Sequence, residues 1–185
     1  MQDAENGKKF PRWLKVVLVG RNIRFTIIRI VLLAAIVWAV YSFVLMPIRV
    51  KGPSMLPTFS ENGLNFVNKL AYLRADPKRS DVVVIRYSGE HTLLLKRVVG
   101  LPGETVQFVR GRILINGTAL EEPYLDPKLS GNWDLPPETL AADEFYVVGD
   151  NRSMPYQLHT FGKAKRNRII GRILLCKNLF PSWQP

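Results

Sequence analysis

Cysteine is almost absent from this 185-residue chain: Cys176 stands alone, so no intramolecular disulfide can form in any redox compartment. Histidine is nearly as scarce. His91 and His159 are the only two, and neither has a ligand spaced around it, so no metal site and no other cofactor is expected. Both read as surface or loop residues, and neither is placed as a credible partner for a serine. Acidic residues are few, 15 against 26 Lys and Arg. The basic residues are dispersed and no recognition motif accompanies them, so nucleic acid is not an expected partner. Past residue 50 there is no long amphipathic periodicity and no internal repeat, which excludes a helical bundle or a solenoid for most of the chain.

Charge is also missing from one long stretch. From Ile30 to Ile48, bounded by Arg29 and Arg49, nineteen consecutive residues carry no charged side chain. A helix of that length covers about 29 Å, close to the roughly 30 Å hydrocarbon core of a bilayer. The first 46 residues hold seven Lys/Arg against two acidic residues. Basic residues ahead of a first membrane helix keep that flank cytoplasmic. The expected layout is a basic cytoplasmic leader over 1–24, a transmembrane helix over 25–48 and an extracytoplasmic domain over 49–185. A removable signal peptide is the weaker alternative, because the run is long and bulky Val44-Leu45-Met46-Pro47 offers no prompt small-x-small site. Upstream, Trp13–Val19 mixes apolar and basic residues and either lies on the headgroups or extends the helix.

The external part reads as strands and turns. Asp81–Ile85, Gln107–Val109, Arg112–Ile115, Glu144–Val148 and Ile169–Leu175 are short β-branched or aromatic runs. Arg110-Gly111 between two of them is a two-residue hairpin signal. Within 117–143, Glu121-Glu122-Pro123, Asp126-Pro127 and Leu135-Pro136-Pro137 mark turns, which predicts a loop-rich insertion at one end of the sheet. The fold class is mostly β, on one N-terminal transmembrane helix.

Two residues carry candidate chemistry. Ser54 lies in the turn-rich stretch Gly52-Pro53-Ser54-Met55-Leu56-Pro57-Thr58, shortly after the uncharged run. Lys96 lies in Leu94-Leu95-Lys96-Arg97-Val98-Val99, where alternation puts Leu94, Lys96 and Val98 on one face and turns Arg97 to the other. A serine hydroxyl needs a neighbouring base, and a lysine can be one only when desolvation lowers its pKa. Pattern alone leaves two alternatives for Lys96: such a base, or an edge-strand lysine whose amine reaches water.

Taken in order, Ser54-Met55-x-Pro57-Thr58, Ser80-Asp81-Val82-Val83-Val84, Lys96-Arg97-x-x-Gly100-x-Pro102-Gly103 and Gly149-Asp150-Asn151-Arg152 resemble the bacterial type I signal peptidases (leader peptidases). The resemblance implies a signal-peptidase-like β domain and a Ser–Lys dyad serine endopeptidase. The implied enzyme cleaves signal peptides with small residues before the cut from translocated preproteins, as a monomer, at the outer face of a cell membrane. It implies Ser54 as nucleophile, Lys96 as general base, and the Ser54 backbone N–H as an oxyanion donor. Gly52 occupies the position from which some members supply a second donor. Met55 would wall the cleft or fill the core, and Arg97 with Asp150 would form a structural ion pair. The sequence departs from the family after Arg152: Pro155 replaces the serine that supports the lysine, and Gln157 and His159 replace an Asp–Arg pair. Ser153 or Thr160 is the expected substitute. A specialised pilin or conjugation maturation peptidase, or a non-catalytic homologue assisting assembly, is the alternative. A LexA-like self-cleaving repressor shares the dyad, but the membrane helix argues against it.

Overall fold

Leucine, isoleucine and valine crowd the segment after Asn22, and with no interior proline before Pro47 the chain winds into one helix. The computed structural model describes residues 22–87 and 93–174. Helix α1 spans Ile23–Ala39 and continues as a wider π turn over Val40–Val44. None of its residues is buried. Apolar side chains around the whole circumference, all uncovered, make a helix long and apolar enough to cross a membrane. The helix expected over 25–48 therefore starts two residues earlier and stops four residues sooner. Leu45–Arg49 is strand β1 instead. Pro47 explains the stop: inside a helix it would clash with the preceding turn, whereas an edge strand tolerates its missing N–H.

The remaining domain consists of two antiparallel sheets. Strands β2 (Leu64–Asn68), β3 (Val82–Arg86), β4 (Leu93–Gly100), β9 (Glu144–Val148), β10 (Gly162–Lys165) and β11 (Ile169–Leu174) join β1 in a seven-stranded sheet ordered β1-β2-β11-β3-β4-β9-β10. Strands β5 (Thr105–Val109), β6 (Arg112–Ile115), β7 (Thr118–Ala119) and β8 (Leu135–Thr139) form the second, ordered β7-β6-β5-β8. The Arg110-Gly111 turn joins β5 to β6 with both residues at positive φ, 48° and 77°, which the right-handed twist of a two-residue hairpin requires.

Strands β4 and β9 are buried on both faces, and that is why they read as unbroken apolar runs. Val98, Phe145 and Val147 pack with Val83 and Ile85 in one cluster. Val99, Tyr146 and Val148 pack with Phe108, Ile113 and Trp133 in another. The segment 117–143 is less irregular than its prolines imply. Leu135–Thr139 is a strand, paired with β5 from the edge of its sheet, where Pro136 and Pro137 interrupt no second ladder.

Candidate active site

Ser54 is presented by a turn that is pinned from below. Gly52 sits at φ 88°, and Pro53–Met55 then makes a single 3-10 turn with Pro53 at its first position. The Met55 side chain is buried with Val50, Phe59, Val82 and Ile173, which plugs the turn into the domain. Met55 also lines the cleft beside Ser54. The Leu56 N–H closes onto the Pro53 carbonyl at 3.1 Å, and the Phe59 N–H onto that of Met55 at 2.9 Å.

Strand β4 delivers Lys96 to this turn. Its backbone pairs opposite Val83, and its amine donates to Ser54 Oγ at 3.0 Å, across 42 residues of sequence. Only 3% of the lysine is exposed. Burial penalises the ammonium form and lowers its pKa to about 8, with the Asp150 carboxylate pulling weakly the other way. Of the two alternatives left by the pattern, the structure realises the desolvated lysine.

A cleft of about 410 Å³ opens in front of the pair, between the 47–51 segment and residues 93–96 of β4. Ile48, Val50, Met55 and Leu95 give it apolar walls, and Ser54 and Lys96 supply its polar floor. An extended peptide fits such a slot by adding a strand, its backbone bonding to the flanking edges while alternate side chains enter pockets. Among the described residues no group of three or more His, Cys, Asp or Glu side chains converges as a metal site would.

Behind the cleft Arg97 points to the opposite face from Lys96 and is buried there. Its Nε and Nη2 donate to the two oxygens of Asp150 at 2.8 and 2.6 Å, and Nη1 donates to the Ser80 carbonyl at 2.9 Å. Thr58 adds a hydroxyl to Asp150 at 2.5 Å, and the Tyr124 ring lies 3.8 Å under the guanidinium. Arg152 forms a second buried pair, donating to Glu122 at 2.8 Å and to the Gly149 carbonyl at 2.7 Å. Thr58, Glu122 and Tyr124 were not legible as supports, because nothing local announces a partner so far along the chain. Two of the three fall in the segment read as loop.

Asn151 is another residue whose part the sequence concealed. Its backbone N–H donates to the Ser54 carbonyl at 3.0 Å and its side-chain amide to the Pro53 carbonyl at 3.2 Å, so it grips the nucleophile's turn twice. Gly149 shows how tight this region is: a Cβ there would fall 2.3 Å from the Ser54 carbonyl oxygen and 2.5 Å from the His159 ring. His159 is thus not a surface residue. It is 5% exposed, packed edge-on against Trp133 with ring centroids 5.2 Å apart, and bonded through Nε2 to the Asn151 carbonyl at 3.0 Å. Ser153 is diverted from the lysine, its hydroxyl donating to Asn151 Oδ1 at 2.7 Å. Thr160 shares a small cavity of about 70 Å³ with Lys96, and no hydrogen bond links the two. Pro155 is exposed at the start of the Tyr156–Leu158 turn. His91 and Cys176 lie outside the described residues.

A buried amine on a serine hydroxyl, at the floor of a strand-lined cleft, supplies the groups that a Ser–Lys hydrolase requires. Sequence comparison narrows the class. The profile described as Signal peptidase, peptidase S26 matches residues 23–177. Signal peptidase I of Leptolyngbya laminosa is 41% identical over 130 residues, 66% of this chain and 63% of its own. Signal peptidase I P of Bacillus subtilis subsp. natto is 35% identical over 162 residues, 82% of this chain and 80% of its own. Signal peptidase I of Bacillus caldolyticus is 29% identical over 184 residues, 93% of this chain and 91% of its own. The chain belongs to the signal peptidase family, peptidase S26. It spans just under two thirds of the length of the Leptolyngbya relative.

Proposed function

We propose that the chain is a membrane-bound signal peptidase, a serine endopeptidase that removes N-terminal signal peptides from translocated preproteins. The observation that carries this reading is the 3.0 Å contact between Lys96 Nζ and Ser54 Oγ inside an apolar, strand-lined cleft. With its pKa near 8, about a tenth of Lys96 is neutral at pH 7, against about one part in 3000 for an ordinary lysine. The neutral amine takes the Ser54 proton as Oγ attacks the scissile carbonyl. The carbonyl oxygen becomes an oxyanion to which the Ser54 backbone N–H donates. Lys96 then returns the proton to the departing amine, leaving an ester on Ser54. A water molecule, losing its proton to the same lysine, attacks that ester, and Lys96 passes the proton on to the departing Ser54 Oγ, which restores both the serine hydroxyl and the neutral amine.

The peptide lies extended against residues 47–51 and 93–96, with small side chains at the first and third positions before the cut. The basic residues ahead of α1 remain cytoplasmic, α1 spans the bilayer, and the β domain acts as a monomer at the outer face. Incubating detergent-solubilised protein with a synthetic Ala-x-Ala preprotein should give cleavage after the second alanine, and Ser54→Ala should give none. Intact substrate with the natural chain would overturn the reading.

A further inference from the structure

The loop between Asn151 and Gly162 has no part in the proton transfers above, yet it ends on a buried histidine beside them. Asn151 spends every polar group it has. Its N–H and side-chain amide hold Ser54 and Pro53. Its Oδ1 accepts from the Ser153 N–H at 3.2 Å and hydroxyl at 2.7 Å. The carbonyl that remains is bonded by His159 Nε2 at 3.0 Å. A carbonyl only accepts, so Nε2 carries the proton and Nδ1 holds the lone pair. That Nδ1 is buried and has no hydrogen-bond partner. The ring is wedged in place: Trp133 and Phe161 pack on it, and Gly149 separates it from the Ser54 carbonyl with no room for a single added carbon.

We propose that His159 is a positioning residue that holds the Ser54 turn through Asn151, by the Nε2–H bond and by the wedge of its ring against Gly149. The inference rests on the peptidase reading above and assigns His159 no contact with substrate. Two cations face the ring, Lys96 from β4 and Arg152 from the loop. Burial first, then Lys96, lowers the imidazole pKa to about 4, against the pull of its Asn151 bond, so it stays neutral wherever Lys96 works and adds no charge there. Its loss should loosen the Ser54 turn and leave both the cleft walls and the lysine's proton affinity as they were.

The test uses the full chain in detergent, with His159→Gln and His159→Asn compared. Glutamine places an N–H near the site of Nε2, whereas asparagine is too short and places it near Nδ1. Expected is a kcat for His159→Asn lowered about tenfold or more, since small misplacements of reacting groups cost up to about 100-fold. KM should stay within about twofold, the midpoint of the alkaline limb should not move, and His159→Gln should recover most of the rate. Equal rates in both variants and the natural chain, equal losses in both, or a shifted midpoint would each overturn the proposal. Amide exchange at Asn151, whose N–H is bound to the Ser54 carbonyl, reads the same clamp without substrate. It should quicken in His159→Asn and not in His159→Gln, and equal protection in both would also overturn it. If the natural chain cleaves nothing, the peptidase reading falls while the exchange result still decides the clamp.

Discussion

Arg97 and Asp150 meet as a two-point ion pair at 2.8 and 2.6 Å, with the carboxylate fully buried. Each is the sequence neighbour of a site residue, Arg97 of Lys96 and Asp150 of Asn151. The pair therefore ties the strand that carries the lysine to the loop that grips the serine's turn. Removing one partner of such a pair leaves the other charged and buried, which costs about 3–5 kcal/mol. Asp150→Ala should lose that much in chemical denaturation, and Arg97→Met should lose a similar amount. A loss below about 1 kcal/mol in both would mean that water reaches the pair.

Ser54→Ala and Lys96→Met should each abolish cleavage, and the double variant should be no worse than either, because nucleophile and base act as a unit. The proposed mechanism needs neutral Lys96, so the rate should climb with pH through a midpoint near 8 and level off above it. Turnover that persists in Lys96→Met would remove the lysine from the mechanism.

The same depressed pKa has a stability signature. Folded Lys96 releases its proton near 8, while in the unfolded chain it does so near the ordinary value of 10.5. Between these values the unfolded chain binds more protons, so stability rises with pH; below 8 the cost of burying the charge is felt in full. Lys96→Met should accordingly raise the melting temperature at pH 7, and the gain should shrink as pH approaches 10.5. A gain independent of pH would assign the effect to packing alone.

The cleft walls lead to the fourth prediction. Val50, Met55 and Leu95 border a slot of about 410 Å³ that also holds Ser54. A bulky side chain at the first or third position before the cut should suppress cleavage by exclusion, measured as a drop in kcat/KM. Indifference to that change would place the peptide elsewhere.

How far the sequence foretold these features follows from what each residue answers to. Strands β3, β4 and β9 were plain because burial on both faces writes a continuous apolar run. Leu45–Ile48 was not, because an uncharged strand directly after an uncharged helix leaves no boundary except Pro47. Pro136 and Pro137 disguised β8, since a proline excludes a central strand but not an edge. At the site, the serine and lysine stood in recognisable surroundings, and the structure brings their side chains together. The burial of His159 depends on Trp133, Phe161 and Gly149 closing around it, contacts that no local pattern encodes. The Glu122 and Tyr124 partners were hidden for the same reason.

The loop departure yields the last prediction. Pro155 has neither a hydroxyl nor a backbone N–H, and it stands exposed at the start of its turn, so it offers Lys96 no bond. Ser153, one of the two expected substitutes, spends its hydroxyl on Asn151. Thr160 is the hydroxyl left beside the lysine, across a cavity of about 70 Å³ that can hold a bridging water. Thr160→Val keeps the shape and removes the hydroxyl, and it should lower kcat several-fold with KM unchanged. Ser153→Ala should act through Asn151 instead, quickening exchange of the Asn151 amide, which Thr160→Val should leave alone. Full activity in Thr160→Val would show that Ser54 alone suffices to orient the Lys96 amine.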